Sequence, residues 1–258
     1  SAAWPNWMKP SKPAPKAKPL RGALVGFGQV AENAHAPAWR AAAGVEIAAV
    51  CEARPDRRDA AKRAFPGARI VSTLKELEKV AGLDFADVAT PPHLHAKQAE
   101  RLLSTGLHVL CEKPLVLESK DLERLAKLAA QKKRSLFAVH NWKHAPLLSK
   151  LKSLVAQGAI GRPRHFQWHV LRTKPAAVAA AGGANWRIDS ALSGGGILMD
   201  HGWHAVYLAA WLLNEAPIRA AGTLLRPMGR SAEDEATCLL EFPSASAVIH
   251  LSWRSDAR

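Results

Sequence analysis

Cysteine is scarce in this chain of 258 residues, which contains only Cys51, Cys111 and Cys238. An odd number of cysteines at scattered positions provides neither a disulfide framework nor a Cys-x-x-Cys metal or redox pair. The sequence therefore excludes a disulfide-stapled small protein. It favours a reducing compartment, so we expect a cytoplasmic protein.

Long apolar runs are also absent. Asp200, His201 and His204 interrupt the apolar region around them well short of the roughly 20 residues that a membrane span requires. The first residues alternate Trp, Pro and Lys without the apolar segment of a signal peptide, so neither a span nor a signal peptide is predicted. Hydrophobic residues still make up 48% of the chain, enough for the core of one large domain or two modest ones.

Acidic residues are few, since 22 Asp and Glu stand against 36 Lys and Arg, a formal net charge of +14. Residues 1–21 are basic, proline-rich and free of acid, so we predict an extended arm there. The remaining positive charge is spread out, without a dense Lys/Arg block interleaved with aromatic residues. This distribution disfavours a nucleic-acid partner and suits an anionic cofactor.

From residue 23 onward, short apolar runs alternate with amphipathic stretches. Strands are predicted at residues 23–26, 45–51, 69–71, 85–89, 107–111 and 135–139. Helices are predicted between them at residues 30–42, 59–64, 73–80, 96–104 and 119–131. This alternation indicates βαβ units, and therefore an α/β fold with a doubly wound parallel sheet, a Rossmann-type dinucleotide-binding domain over residues 22–141.

The regular alternation of predicted strands and helices ends after residue 140. Helices are predicted at residues 145–156 and 197–213, and strands at residues 164–171, 237–241 and 247–253. This pattern indicates a second, α+β substrate-binding domain over residues 142–258, with a mostly antiparallel or mixed sheet. We expect the Ala/Gly-rich loop at residues 173–186 to face the substrate.

The first strand runs into a G-x-G-x-x-A sequence at residues 26–31. Gly26 permits a tight turn, Gly28 lets the backbone approach a pyrophosphate, and the following helix presents free N–H groups to that anion. The predicted cofactor contacts in this loop are Gly26, Phe27, Gly28, Gln29 and Val30.

Glu52 ends the second strand, close to the spacing at which an acid binds the adenosine ribose of a dinucleotide. A carboxylate there repels a 2′-phosphate, so the sequence predicts NAD. Three arginines follow closely and keep NADP as the alternative, namely Arg54, Arg57 and Arg58.

Two proline-containing motifs follow neighbouring strands, Thr90-Pro91-Pro92 and Glu112-Lys113-Pro114. Both fall at the carboxyl edge of the predicted sheet, where open α/β sheets bind ligands. Pro114 favours an extended backbone at Lys113. We therefore expect the Lys113 ammonium to project into the crevice and bind a substrate hydroxyl.

A third motif begins with three glycines, residues 194–196, which are expected to leave room for a ligand beside the backbone. The helix that follows places Asp200 and His204 at i and i+4, on one face, and predicts a lined cleft. This pair could ligate zinc, but no third ligand stands at a recognisable spacing, so no metal is predicted.

Taken together, residues 26–31, 89–95, 106–114 and 194–204 resemble the Gfo/Idh/MocA oxidoreductases, the relatives of glucose-fructose oxidoreductase and inositol dehydrogenase. The resemblance implies NAD or NADP, and hydride transfer at a sugar or polyol carbon. It also implies that Lys113, Asp200 and His204 form the catalytic group. Four further residues are assigned to the cofactor side of the cleft: Thr90, Pro91, His95 and Glu112.

Several features depart from the family pattern. Tyr207 stands where an aspartate commonly follows the histidine, and Lys143 where an arginine is frequent, which suggests an atypical substrate. Family chains generally continue beyond the equivalent of Arg258 with further strands, and they often associate through that sheet. A homo-oligomer formed by the C-terminal sheet is therefore an open expectation.

In the implied mechanism, His204 takes the hydroxyl proton during oxidation, Lys113 holds the same oxygen, and Asp200 binds the substrate and orients the imidazole. A neighbouring carboxylate is expected to raise the pKa of His204. Two alternatives remain open at this point. One is a glycosidase that uses tightly held NAD for transient oxidation, and the other is a nucleotide-binding sensor or scaffold without turnover.

Overall fold

The computed structural model describes residues 18–176 and 185–256. Its first half contains a parallel six-stranded sheet in the order β3-β2-β1-β4-β5-β6. The strands are β1 (Leu20–Val25), β2 (Val45–Cys51), β3 (Arg69–Val71), β4 (Phe85–Val88), β5 (His108–Cys111) and β6 (Leu136–Ala138). The order reverses between β1 and β4, and this reversal creates the crevice in which such sheets bind ligands.

Helices connect these strands and cover the sheet with two separate apolar clusters. Helix α1 opens with a π-helical segment, Ala31–His35, and continues as Ala36–Ala41; the others are α2 (Pro55–Ala64), α3 (Leu74–Leu77), α4 (Pro92–Ser104) and α5 (Ser119–Lys132). The predicted doubly wound α/β lobe is confirmed. Helices α2 and α4 begin four residues earlier than predicted, because the proline at the first helical position fits there without losing a hydrogen bond.

The second half contains a four-stranded mixed sheet in the order β7-β10-β9-β8. Its strands are β7 (His165–Leu171), β8 (Arg219–Leu225), β9 (Glu235–Glu241) and β10 (Ser246–Ser252). Strand β10 pairs in parallel with β7 and antiparallel with β9. The predicted second α+β lobe with a mixed sheet is thereby confirmed.

The helical elements of this half are short, apart from two helices of 11 residues. They comprise a 3-10 turn (Asn141–His144), α6 (Pro146–Ala156), a second 3-10 turn (Trp186–Ile188), α7 (Ser190–Ser193), and a π-helical segment (Leu198–Gly202) that continues as α8 (Trp203–Leu213). Ile197 and Ala205 pack against Ile249 and Leu251 of β10 in one buried cluster. This packing fixes the helix formed by Leu198–Gly202 and α8, called the site helix below, on the second sheet.

Strand β8 is absent from the sequence-based prediction. All seven of its residues are exposed, so no alternation of buried and exposed side chains marks it as a strand. Position 222 requires glycine because of a contact with another strand. A Cβ there would lie 2.5 Å from the carbonyl oxygen of Thr237 on β9. Pairing with β9, and not a local pattern, defines this edge strand.

Two predicted segments fall wholly or partly outside the described residues. The basic arm was predicted over residues 1–21, but Leu20 and Arg21 already belong to β1, and residues 1–17 are not described. The predicted substrate loop, residues 173–186, includes 177–184, which are likewise not described. The boundaries of the two domains stay a prediction.

None of the helices within the described ranges has the length and hydropathy needed to cross a lipid bilayer.

A buried charged cluster joins helix α1 to strand β4 and to the residue that directly follows β5. The His35 ring lies 2.7 Å from Asp87 through Nδ1 and 3.0 Å from Glu112 through Nε2, while Trp39 donates its indole N–H to Asp87. Burial by itself lowers the pKa of His35, but the two carboxylates outweigh it and raise that pKa to about 10. The ring is therefore a buried imidazolium at neutral pH.

This cluster predicts a pH-dependent stability. The pKa of His35 in the folded protein lies above its ordinary value of 6.5. The charged ring therefore contributes its full stabilisation to the fold below pH 6.5, and this contribution is lost as the pH rises through about 10. We expect His35→Phe to lower the free energy of unfolding by about 3 kcal/mol at neutral pH, and to flatten this alkaline loss. Urea denaturation over a pH series measures both effects. The same substitution at exposed His144 is the control, and an equal alkaline loss in both variants would contradict the assignment.

Candidate active site

A cavity of about 510 Å³ lies at the carboxyl edge of the parallel sheet, where the strand order reverses. Its walls contain the glycine loop, the ends of β2 to β5, and two residues of the second lobe. The predicted residues that line it are Gly26, Gly28, Gln29, Val30, Glu52, Thr90, Pro91, Glu112 and Lys113. Its volume falls within the range of small-molecule and cofactor sites.

The two glycines of the loop have different roles. Gly26 has a φ of +87°, and a Cβ there would lie 2.7 Å from the Thr90 side chain, so both conformation and packing require glycine. Gly28 has no atom within 4 Å of the position where a Cβ would stand. Open space beside the backbone, at the start of a helix that lines the cavity, fits the diphosphate of a dinucleotide.

Glu52 lies at the cavity wall with its carboxylate largely buried. It accepts hydrogen bonds from the backbone N–H groups of Phe27, at 2.6 Å, and Arg54, at 2.8 Å. Glu52 therefore also holds the glycine loop against the end of β2. Phe27 was predicted to contact the cofactor, but its side chain is fully buried in the core and its N–H already binds Glu52.

The three arginines after Glu52 are each engaged within the protein. Arg54 pairs with Asp56, and Arg57 donates to the Phe27 carbonyl and to Glu32. Arg58 donates to the carbonyl oxygens at the end of β2. A 2′-phosphate would have to compete with these partners for a guanidinium.

His95 was predicted to lie on the cofactor side of the cleft, but it does not face the cavity. It is fully buried, and its two ring nitrogens each lie 2.7 Å from a backbone carbonyl oxygen, those of Pro114 and Thr90. The ring thus ties the two proline-containing motifs together. Thr90 does line the cavity, and its hydroxyl donates to Gln98.

Lys113 connects the two lobes. Its Nζ donates to the backbone carbonyl of Asp200 at 2.7 Å and to Asp200 Oδ1 at 2.9 Å. Both side chains are mostly buried, with 19% and 14% of their surface exposed. The structure thus brings together the predicted lysine and aspartate, which are 87 residues apart in the sequence.

Asp200 lies among several cationic or titratable groups. Arg187 Nε is 3.5 Å and His201 Nε2 is 3.7 Å from its second carboxylate oxygen. Burial raises the pKa of Asp200, but the charges of Lys113, His201 and Arg187 outweigh burial, so the pKa falls below its ordinary value. The carboxylate is ionised at neutral pH and can accept hydrogen bonds from substrate hydroxyls.

His204 is buried beneath an aromatic cover. Its ring stacks on Trp142 with centroids 4.6 Å apart, and its Nδ1 lies 3.3 Å from the Tyr207 hydroxyl. Burial lowers its pKa to about 3, and the charge of Lys113 acts in the same direction. The expectation of a raised pKa is wrong, because burial and cationic neighbours outweigh the attraction of Asp200. His204 is thus neutral at physiological pH.

The three glycines before the site helix do not leave room for a ligand. A Cβ at Gly196 would lie 1.7 Å from the Glu233 carbonyl oxygen, and one at Gly194 would lie 2.6 Å from Leu117. The Glu233 carboxylate accepts the N–H groups of Gly196 and Leu198 at 2.8 and 3.0 Å. Protein atoms therefore occupy this space, and Glu233 satisfies free amides at the start of the helix.

Trp186, the last residue of the loop predicted to face the substrate, lines the cavity. Sequence reasoning missed several other residues that line it. Arg187 comes from the second lobe, and its guanidinium lies over the Trp186 ring, 4.4 Å from the centroid. Ser72 and Thr73 follow β3 at the same sheet edge as Thr90, so their position after a parallel strand could have identified them. Arg187 carries no comparable signal.

Two family models cover nearly all of the described structure. Residues 20–140 match the model described as an oxidoreductase family with an NAD-binding Rossmann fold, and residues 148–258 match the GFO/IDH/MocA C-terminal domain. The chain belongs to the Gfo/Idh/MocA family, and its first lobe is an NAD-binding Rossmann domain.

Individual relatives agree with this membership. The chain is 28% identical to D-apiose dehydrogenase of Paraburkholderia graminis, over 92% of this chain and 62% of that protein. It is 33% identical to a putative UDP-kanosamine synthase oxidoreductase subunit of Amycolatopsis mediterranei, over 76% of this chain and 52% of that one. The chain thus spans less than two thirds of the length of both relatives.

Solved structures share the fold. GenD2 from gentamicin A biosynthesis, in complex with NAD, superimposes with a TM-score of 0.83 at 28% identity, covering 96% of this chain and 70% of GenD2. The WlbA dehydrogenase of Bordetella pertussis, in complex with NADH and UDP-GlcNAcA, gives a TM-score of 0.82 at 27% identity. That superposition covers 93% of this chain and 72% of WlbA.

Proposed function

We propose that this chain carries an NAD-dependent oxidoreductase activity that transfers hydride between nicotinamide and an alcohol or ketone carbon of a carbohydrate-like molecule. The observation that carries the proposal is the hydrogen bond from Lys113 to Asp200, because Lys113 lines a cavity whose other walls include the glycine loop and Glu52. The Gfo/Idh/MocA membership and the named activities of relatives such as D-apiose dehydrogenase support it.

Each residue has a distinct part in this proposal. The loop around Gly28 and the buried Glu52 would hold the diphosphate and the adenosine ribose. Bound NAD supplies hydride exchange at nicotinamide. Lys113 would bind the reacting oxygen and stabilise its negative charge, Asp200 would bind neighbouring hydroxyls, and His204 would exchange the proton of that oxygen.

A substrate panel tests the proposal. Sugars, inositols and their keto derivatives are incubated with NAD or NADH, and the absorbance of reduced nicotinamide is followed. Accumulation or consumption of NADH in step with the substrate is expected. Glycoside cleavage without a net change in NADH would favour transient oxidation instead, and binding of NADH without any turnover would favour a sensor; both outcomes contradict the proposal.

We expect the protein to bind NADH at least about tenfold more tightly than NADPH. The buried carboxylate of Glu52 repels a 2′-phosphate, and Arg54 is already paired with Asp56. Calorimetric titration of both cofactors measures the ratio. Arg54→Ala is expected to leave the ratio unchanged. Tighter binding of NADPH that disappears in this variant would show that Arg54 serves the phosphate.

Residence in the cytoplasm and association through the C-terminal sheet both stay predictions.

A further inference from the structure

Tyr207 lies where its hydroxyl reaches the histidine of the proposed active site. Its oxygen is 3.3 Å from His204 Nδ1 and accepts the backbone N–H of Trp142 at 3.1 Å. Trp142 covers one face of the imidazole, with its ring stacked on His204 at an interplanar angle of 10°. The imidazole is thus held between two residues of the second lobe.

The donors and acceptors around Tyr207 restrict where protons can lie. A phenolic oxygen has two lone pairs and one hydrogen. The Trp142 amide already directs its hydrogen at this oxygen, and among the described residues His204 Nδ1 is the one acceptor within hydrogen-bond distance of the phenol, so the phenolic hydrogen faces Nδ1. A nitrogen that accepts this hydrogen carries none itself, so in a neutral ring the single proton lies on Nε2.

We propose that Tyr207 is a positioning residue that fixes the neutral tautomer of His204 with its proton on Nε2, so that this nitrogen can act as a proton donor. An aspartate at this position would accept a hydrogen bond from Nδ1 and would select the opposite tautomer. Tyr207 therefore reverses the resting polarity of the imidazole. The assignment of the tautomer depends only on the geometry around Tyr207, whereas its catalytic consequence rests on the proposed function.

In ketone reduction, one proton leaves His204 for the substrate and another moves from Tyr207 to His204. As the carbonyl carbon receives hydride, its oxygen gains a proton from Nε2, and the Nε2–H bond breaks. The Tyr207 proton moves to Nδ1, so the ring stays neutral. The phenolate formed accepts the Trp142 amide and regains a proton from water, since Tyr207 is only half-buried. Alcohol oxidation requires the reverse, beginning with loss of the Tyr207 proton.

Other charged or titratable groups act on this pair. Lys113, His201, Asp200 and Glu112 influence His204 through their charges. The ring of His140 lies 4.4 Å from that of Tyr207. No carboxylate among the described residues is within hydrogen-bond distance of His204, so Tyr207 is the described polar side chain that can select its tautomer.

Nitrogen-15 NMR of the histidine rings, in the protein without substrate, tests the tautomer directly. The His204 signals are identified by their loss in His204→Gln. The wild-type protein is expected to show the Nε2–H pattern at neutral pH. Tyr207→Asp is expected to show the Nδ1–H pattern, and Tyr207→Phe a mixture. An Nδ1–H pattern in the wild-type protein overturns the inference even if the variants fail to fold, as does an unchanged Nε2–H pattern in both variants.

Kinetics separate this inference from the proposed function. Tyr207→Phe is expected to lower the rate of ketone reduction at least about tenfold without changing NADH affinity. It is also expected to remove a rise of the alcohol oxidation rate with pH that the wild-type enzyme shows above neutrality. Oxidation that is independent of pH in the wild type contradicts the proton path. An Nε2–H tautomer in a protein that turns over no substrate overturns only the proposed function.

Discussion

Lys113→Ala is expected to lower turnover by a factor of roughly 100 to 1,000 while changing the affinity for NADH by less than about threefold. In the proposed function the Lys113 ammonium binds the reacting oxygen, and two hydrogen bonds to Asp200 hold this ammonium in place. Removing it leaves the developing charge on the substrate oxygen without its donor. Steady-state kinetics and NADH titration measure the two quantities separately.

Lys120→Ala is the matched control, because this lysine is exposed on α5 and does not line the cavity. The control is expected to retain both turnover and NADH affinity. Turnover that survives in Lys113→Ala would remove this residue from the mechanism. A parallel loss of NADH affinity would instead assign Lys113 to cofactor binding.

Gly196→Ala is expected to destabilise the fold by at least about 3 kcal/mol, because the new Cβ would lie 1.7 Å from the Glu233 carbonyl oxygen. The obstructing atom belongs to the backbone, so a side-chain rotation cannot relieve the clash. Glu233 would have to move away and release the N–H groups that it accepts from the start of the site helix. For a chain of this size, the melting temperature should fall by roughly 6 to 12 °C.

Gly67→Ala is the control for this experiment, since no atom lies within 4 Å of the corresponding Cβ. It should change the melting temperature by no more than about 2 °C. Calorimetry or thermal circular dichroism of both variants measures the difference. Equal melting temperatures would mean that Glu233 does not hold Gly196 as closely as the structure shows.

Much of the fold could be predicted because it depends on local patterns. The buried strand Val45–Cys51 appears in the sequence as an apolar run of the right length, and its predicted bounds are those of the structure. Gly26 and Gly28 could be assigned to a turn beside the cavity, because backbone freedom and missing side chains are properties of glycine itself. Lys113 could be placed at the sheet edge because it directly follows a strand.

Other features depend on partners distant in the chain. Strand β8 exists because it pairs with β9, and Gly196 is required because of Glu233, so neither has a local signal. His95 has the residue type of a cofactor contact, yet tertiary contacts bury it between two carbonyl groups.

The sequence by itself determined the alternation of strands and helices in the first lobe, the glycine turn and the identity of the polar groups, since these follow from local periodicity and residue chemistry. Only the tertiary structure decided how those groups are charged and oriented. Burial beside Lys113 lowers the pKa of His204, and Tyr207 lies at its Nδ1. Desolvation and hydrogen-bond direction depend on all neighbours in space, which the order of residues along the chain does not specify.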